Sequence, residues 1–194
     1  MADTAPEMDF DERLLHPAAT EHVCPVYTVP LHELRLLDFC RQHAIVAYLP
    51  LRRAWRVKTH NRGNRQYTYR NEVLRPMFPS YLFAKMNADQ RAALYSSGDV
   101  VRIIGVADQP RLLAELHVVH QVEQIGMTTE LEFNPGLCEG DKFLIESGPW
   151  QGITGWLTKK EKRFLWSVEI ESVGTIIRAT LDPSQYKLTK LENN

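Results

Sequence analysis

The sequence predicts an α+β fold in two parts, a mixed first domain followed by a small all-β domain. Three observations carry that reading. Between residues 23 and 126, short apolar runs of strand character alternate with stretches whose apolar residues recur every three or four positions. Beyond residue 136 the helical period disappears, and short strands follow one another between Gly, Pro and Lys-rich turns. Between the two lies GMTTELEFNPG, which has no strong period and holds Gly126, Pro135 and Gly136. The expected organisation is an acidic extension over 1–22, a first domain over 23–126, a linker over 127–135 and a second domain over 136–194.

Each element has its own reason. Residues 1–22 are poor in apolar side chains and contain Pro6 and Pro17, so they read as a flexible extension with room for a short helix around DFDERLL. VCPVYTV reads as a strand, in which Pro25 argues for an edge position or a late start. Pro30 suits the first turn of a helix, and Leu31, Leu34, Leu37 and Cys40 follow at spacing three, with Leu36 and Phe39 widening the stripe. IVAYLPL is the next strand. Residues 52–74 lack a helical stripe, and Gly63-Asn64 suits a tight turn, so a protruding hairpin is expected.

The run RPMFPSYLFAKM then alternates from Ser80 onward. Tyr81, Phe83 and Lys85 fall on one face of a strand, and Leu82, Ala84 and Met86 on the other. Asn87 with Gln90 resembles a capping box for a short helix that stops near Gly98. VVRIIGV is a further strand, and Pro110 begins a helix with Leu112, Leu113, Leu116, Val119 and Val122 inward, closed by Gly126. In the second domain, RFLWSVEI places Phe164, Trp166, Val168 and Ile170 at strict period two, and fewer than about 60 residues of such texture suggest a small barrel.

A formal net charge of −1 hides a segregation along the chain. Residues 1–22 hold six acids against Arg13 alone, whereas residues 52–75 hold eight Lys/Arg against Glu72 alone. The local field around 52–75 is therefore strongly positive. Cys24, Cys40 and Cys138 are scattered, with no CxxC, so neither a zinc site nor a disulfide framework is suggested. His117 and His120 sit three apart on a helix without further ligands at metal-site spacing, and they read as a solvated face. No nucleophile elbow, Ser-His-Asp set or P-loop occurs, so no catalytic residue, enzyme activity, metal or cofactor is expected. The N-terminus lacks a signal pattern and no apolar run nears the ~20 residues of a membrane span, which leads to the expectation of a cytoplasmic protein away from membranes.

Two motifs point to a family. GDKFLIESGPWQGITGWLTKKEKR opens on Gly-Asp, continues as an apolar strand, turns at Gly148-Pro149, and sets Gly152 and Gly155 where a side chain would clash or a positive φ is wanted. This stretch resembles the KOW motif. Upstream, VYTVPLHE, AYLPL, MFPSYLFAKM and GDVVRIIGV follow in order, and this series looks like the NGN domain of the NusG family of transcription elongation and antitermination factors. Family members often carry basic residues before the glutamate of the first helix, where this chain has Pro30-Leu31-His32 before Glu33. The general factor also has a longer loop after its Gly-Pro and a Gly-Arg-Ala-Thr-Pro strand, whereas here Trp150-Gln151-Gly152 closes the loop and the strand reads VGTIIRATL. The departures suggest a specialised paralogue similar to RfaH or to the capsule-operon antiterminators.

The resemblance implies an NGN fold, an antiparallel sheet with flanking helices, linked to a KOW β-barrel. It implies RNA polymerase as partner, docked through the clamp helices of the largest subunit, with Tyr81 and Phe83 at the apolar patch and Phe78 and Pro79 at its rim. The alternative is a core role for the two aromatics, for instance under the second domain, and the two can coexist, since in RfaH-like proteins the second domain masks the patch until recruitment. It also implies upstream or non-template DNA as a contact, and either a small-subunit ribosomal protein or Rho as a partner of the KOW domain. For the basic stretch two readings stand side by side. One is a solvated hairpin. The other is a nucleic-acid contact carried by Arg52, Arg53, Arg56, Lys58, Arg62 and Arg65, with Trp55, Tyr67 and Tyr69 available to stack on unpaired bases. The expected function is suppression of pausing or termination at particular operons. The competing one is a KOW-type RNA-binding or ribosome-associated protein, against which residues 136–194 weigh by carrying eight Lys/Arg and eight Asp/Glu.

Overall fold

The computed structural model describes residues 10–62, 65–129, 131–134, 140–160 and 163–191. Its strands are β1 His22–Thr28, β2 Val46–Tyr48, β3 Leu51–Arg62, β4 Arg65–Pro76, β5 Tyr81–Met86, β6 Val100–Ile103, β7 Leu131–Asn134, β8 Asp141–Ile145, β9 Thr154–Lys160, β10 Arg163–Ile170, β11 Thr175–Leu181 and β12 Leu188–Lys190. The α-helices are α1 Glu33–Gln42, α2 Ala88–Ser96 and α3 Gln109–Gly126. The strands form a four-stranded sheet in order β2-β5-β1-β6, a separate β3-β4 hairpin, and a six-stranded sheet in order β12-β8-β9-β10-β11-β7. Every recorded pairing is antiparallel.

The alternation expected for β5 is observed. Leu82, Ala84 and Met86 join Cys24, Val26 and Ile103 in a buried cluster with Leu36, Leu37 and Cys40 of α1 and Leu94 of α2. Burial pushes the Cys40 thiol up to about 12, so it behaves as a small apolar side chain. The opposite face holds Val23, Tyr48 and Phe83, clustered with Leu112, Leu116, Val119 and Val122 of α3. The first sheet is therefore covered on both sides. α2 carries the expected capping box between Asn87 and Gln90.

Two local expectations are corrected, and the short helix expected around DFDERLL is present. Pro25 lies in the central strand β1, not at an edge. Its carbonyl accepts from Ile104 N–H at 2.9 Å, so its missing N–H falls on the β6 side where that ladder has ended. α1 starts at Glu33, because Leu31 takes a positive φ of 69° and leaves Pro30 in a preceding turn. Leu31 is 92% exposed and belongs to no inward stripe. The N-terminal extension is structured from Phe10 onward. Asp11 caps a one-turn 3-10 helix, Glu12–Leu15, and Leu14 is fully buried in the cluster that contains Phe83.

The C-terminal region also departs from expectation. The period-two reading of β10 holds. Trp166, Val168 and Ile170 are buried, and they pair with Ala179, Ile177 and Thr175 of β11. Gly155 is required by contact, since a Cβ there would meet the Ser167 carbonyl oxygen at 2.5 Å. The sheet runs linearly from β12 to β7, and those ends are not paired with each other among the described residues, so the described strands show a β-rich region without a closed barrel. Its last strand, β7, comes from the stretch expected as linker. Leu131 is fixed there by packing on Gly126 at the end of α3, where a Cβ would meet it at 2.7 Å. Further contacts join α3 to the segment after β10. Arg111 pairs with Glu171, and Ser172 N–H donates to Glu115 at 3.1 Å.

Candidate functional site

Pro79 is explained by the turn that delivers β5. Tyr81 N–H donates to the Phe78 carbonyl at 3.1 Å, with Pro79 followed by Ser80 at φ 65°. A proline before a positive-φ residue is a favoured way to reverse the chain. Buried Glu33 holds the turn by accepting from Ser80 N–H at 2.7 Å, and Ser80 in turn accepts from Thr28 N–H at 2.8 Å.

That turn distributes the four patch residues unequally. Phe83 is 0% and Phe78 2% exposed, with their rings edge-on at 6.1 Å, so in this arrangement neither offers a surface. Phe83 shares its cluster with residues of α3 and with Trp166 and Val168 of β10, so its burial fits both a core role and a patch covered by other parts of the chain. Tyr81 remains half-buried and Pro79 is exposed. Register places Tyr27 of β1 beside Tyr81, and Arg102 of β6 beside Tyr27. The two tyrosine rings lie 5.1 Å apart. The row Tyr81–Tyr27–Arg102 forms the uncovered end of the sheet face. Sequence reasoning missed Tyr27 and Arg102. The period of β1, in which Val23, Pro25 and Tyr27 share a face, was the available signal.

The hairpin is the opposite case. Its ladder runs from Leu51↔Pro76 to Arg62↔Arg65, twelve pairs long. Gly63 and Asn64, expected as the turn, lie outside the described residues, as do the side chains of Arg62 and Arg65. Paired residues leave an antiparallel ladder on the same face. One face therefore carries Arg52, Arg56, Lys58, Tyr69 and Arg75, with Tyr67 further out, and the other carries Arg53, Trp55, Val57, Arg70 and Glu72. Trp55 and the two tyrosines do not form one interleaved stack, because they occupy opposite faces. Arg53 is engaged structurally: it pairs with Glu72 at 2.6 Å and donates to the Met127 carbonyl. Arg52 lies directly opposite Arg75, and burial together with the Arg75 charge pulls its pKa below the usual guanidinium range. Arg56 and Lys58 are exposed.

Beneath the hairpin root, Glu123 of α3 is buried and accepts from Tyr48 O–H at 2.8 Å and Leu51 N–H at 2.6 Å. Desolvation raises its carboxyl pKa, partly opposed by those two donors. Burial and the Glu123 charge keep the Tyr48 phenol protonated. His120 lies 3.5 Å from Glu123, and its ring stacks on Phe10 at 4.2 Å. Expected on a solvated face, His120 is instead a half-buried part of the seam that holds the N-terminal segment, whereas His117 is exposed.

Among the described residues no helix is long and apolar enough to cross a membrane. No match among curated proteins reaches significance. Residues 26–121, spanning β1 through most of α3, match the family model described as Transcription termination factor nusG, and through this domain the chain belongs to the NusG family of transcription factors.

Proposed function

We propose that this chain is a transcription elongation factor that docks on RNA polymerase through the open end of its first sheet. The observation that carries the reading is the Tyr27–Tyr81 pair. Two aromatic rings lie side by side, half-buried, at the one end of that face left uncovered. Aromatic residues bury much area at low entropic cost, and exposed Pro79 and Arg102 supply a rim. The clamp helices of the largest polymerase subunit are the proposed docking site, with the basic face of the hairpin directed at upstream or non-template DNA. Suppression of pausing and termination follows from bridging the two.

A specialised role at particular operons is supported by the tight loop after Gly148, where Gln151 N–H returns to the Gly148 carbonyl at 3.0 Å and leaves no room for a longer contact loop. The C-terminal sheet is the proposed site for a small-subunit ribosomal protein or Rho, and organisation as a KOW domain, with residues 136–194 as its extent, remains part of this proposal. The test is direct. The purified full-length chain is mixed with core RNA polymerase, and its effect on pausing is followed in single-round transcription. Stable co-elution with shortened pauses is expected. Absence of co-elution, with retention on ribosomal subunits, would replace this reading by the ribosome-associated one.

A further inference from the structure

Residues 10–16, Phe-Asp-Glu-Arg-Leu-Leu-His, sit on the first domain as a peptide sits in a groove. Their hydrogen bonds close within the segment. Asp11 accepts from Arg13 N–H at 2.9 Å and pairs with the Arg13 guanidinium. Leu14 N–H donates to the Asp11 carbonyl at 2.9 Å, and His16 N–H to that of Arg13 at 3.3 Å. Among the described residues, the segment has no hydrogen bond or ion pair with the rest of the chain.

What holds it is apolar. Leu14 is fully buried in the cluster that contains Val23 and Tyr48, and Leu15 packs against that cluster. Phe10 meets Tyr48 edge-on at 4.8 Å and stacks on His120 at 4.2 Å. The segment thus carries its own cap and turn and lends the domain three apolar side chains. Residues 17–21 connect it to β1 through a turn in which Glu21 N–H donates to the Ala18 carbonyl at 2.9 Å. Departure of the segment would break no strand pairing, since the pairings of β1 begin at His22. Beside it a cleft of about 260 Å³ continues, bordered by Asp11 and Arg13 on the segment and by Leu37, Arg41, Ile45 and Leu49 on the domain. Arg13 first, and Lys85 of the domain after it, hold the Asp11 carboxyl below its usual range, so the border favours an acidic occupant.

We propose that this seat is a docking groove for an acidic peptide segment of a protein partner, and that residues 10–16 fill it as a stand-in. The partner's pattern is read from the occupant: a Phe, an Asp that caps one helical turn, and a Leu-Leu pair three and four positions after the Asp. Helix-in-groove recognition rests on such anchors along one face of a turn. A segment that satisfies its own hydrogen bonds can be exchanged for another of the same pattern without stranding a buried polar group. The tethered segment competes at an effective concentration in roughly the millimolar range, so a partner binds by displacing it. The groove uses none of Tyr27, Tyr81 and Arg102, and the proposal stands apart from polymerase docking.

The test uses the full chain, its Phe10→Ala/Leu14→Ala variant, which vacates the seat, and a labelled synthetic peptide of residues 9–17 as probe. Binding is followed by fluorescence anisotropy. The peptide should bind the variant about tenfold or more tighter than wild type, whose own segment competes. A peptide carrying the same two substitutions should bind neither. Should the double variant lose its cooperative melt, Leu14→Ala alone gives the same comparison in a less altered chain. A folded variant that ignores the peptide overturns the proposal and makes residues 10–16 a fixed part of the core. Equal affinity for wild type and variant overturns it too, because the peptide then binds elsewhere. Sedimentation tests the identity of the occupant. If wild type dimerises where the double variant stays monomeric, the groove takes a second copy's segment, and the separate partner is overturned.

Discussion

The first sheet and the hairpin meet between Tyr48 and Leu51, yet they solve opposite problems. The four-stranded sheet is covered on both faces, by α1 and α2 on one side and by α3 with the N-terminal segment on the other. Beyond its root, where Leu51 joins the first core, the β3-β4 hairpin leaves Trp55, Val57, Tyr67 and Tyr69 exposed. A two-stranded ribbon in water is marginally stable by itself. Exposed aromatics contribute little to holding it, whereas Tyr48 and Phe83 of the sheet are core. An aromatic residue in this chain reports function only after its face has been found to be open.

The comparison breaks if substitutions in the two regions cost the same, and the largest effect is expected at Phe83. Phe83→Ala should destabilise the fold by about 3–5 kcal/mol, since it empties a fully buried site in a core cluster. Denaturant unfolding checks this, and a loss below ~1 kcal/mol would return Phe83 to the surface. Leu14→Ala should cost about 2 kcal/mol, at the low end for a buried leucine because a one-turn segment can detach without unfolding the sheet. Rapid hydrogen exchange confined to residues 10–16 in that variant would support the same picture.

A smaller and pH-dependent effect is expected at Glu123. Its raised pKa means that the native chain keeps this proton to higher pH than the unfolded chain does, so its ionisation disfavours the fold as pH rises above about 4.5. The groups facing it are His120, Tyr48 and the Leu51 amide. Glu123→Gln removes the ionisation, and the variant should gain stability relative to wild type between pH 4.5 and pH 7. A relative loss over that range would reverse the sign of the account. The smallest effect belongs to the hairpin: Trp55→Ala should change stability within about 0.5 kcal/mol, as for exposed sites in general.

What the sequence disclosed follows the same division. Short-range rules held well. The two faces of β5, the Asn87 capping box, the inward set of β10 and the hairpin itself were all visible from period and turn chemistry. Long-range packing was not. That Phe83 would be fully buried in a cluster with residues of α3 and of β10 depends on contacts far apart along the chain, and no periodicity encodes which face a later element covers. Likewise Trp55 and Tyr69 sit on opposite faces because of a register set by a turn, and a list of basic and aromatic residues cannot assign faces before pairing is known. β7 was hidden for a related reason. Four residues without a clear period became a strand by finding an edge at β11 and an anchor at Gly126.

The most direct measurement is the affinity of RNA polymerase for the full-length chain carrying Tyr27→Ala and Tyr81→Ala, beside a variant carrying Arg56→Ala and Lys58→Ala. The tyrosine pair should weaken binding by about 2 kcal/mol or more while the chain stays folded, as judged by its melt, and the hairpin variant should weaken it less. Polymerase binding that survives loss of both tyrosines but falls with the hairpin variant would contradict the account, and would put the docking surface on the ribbon instead of the sheet.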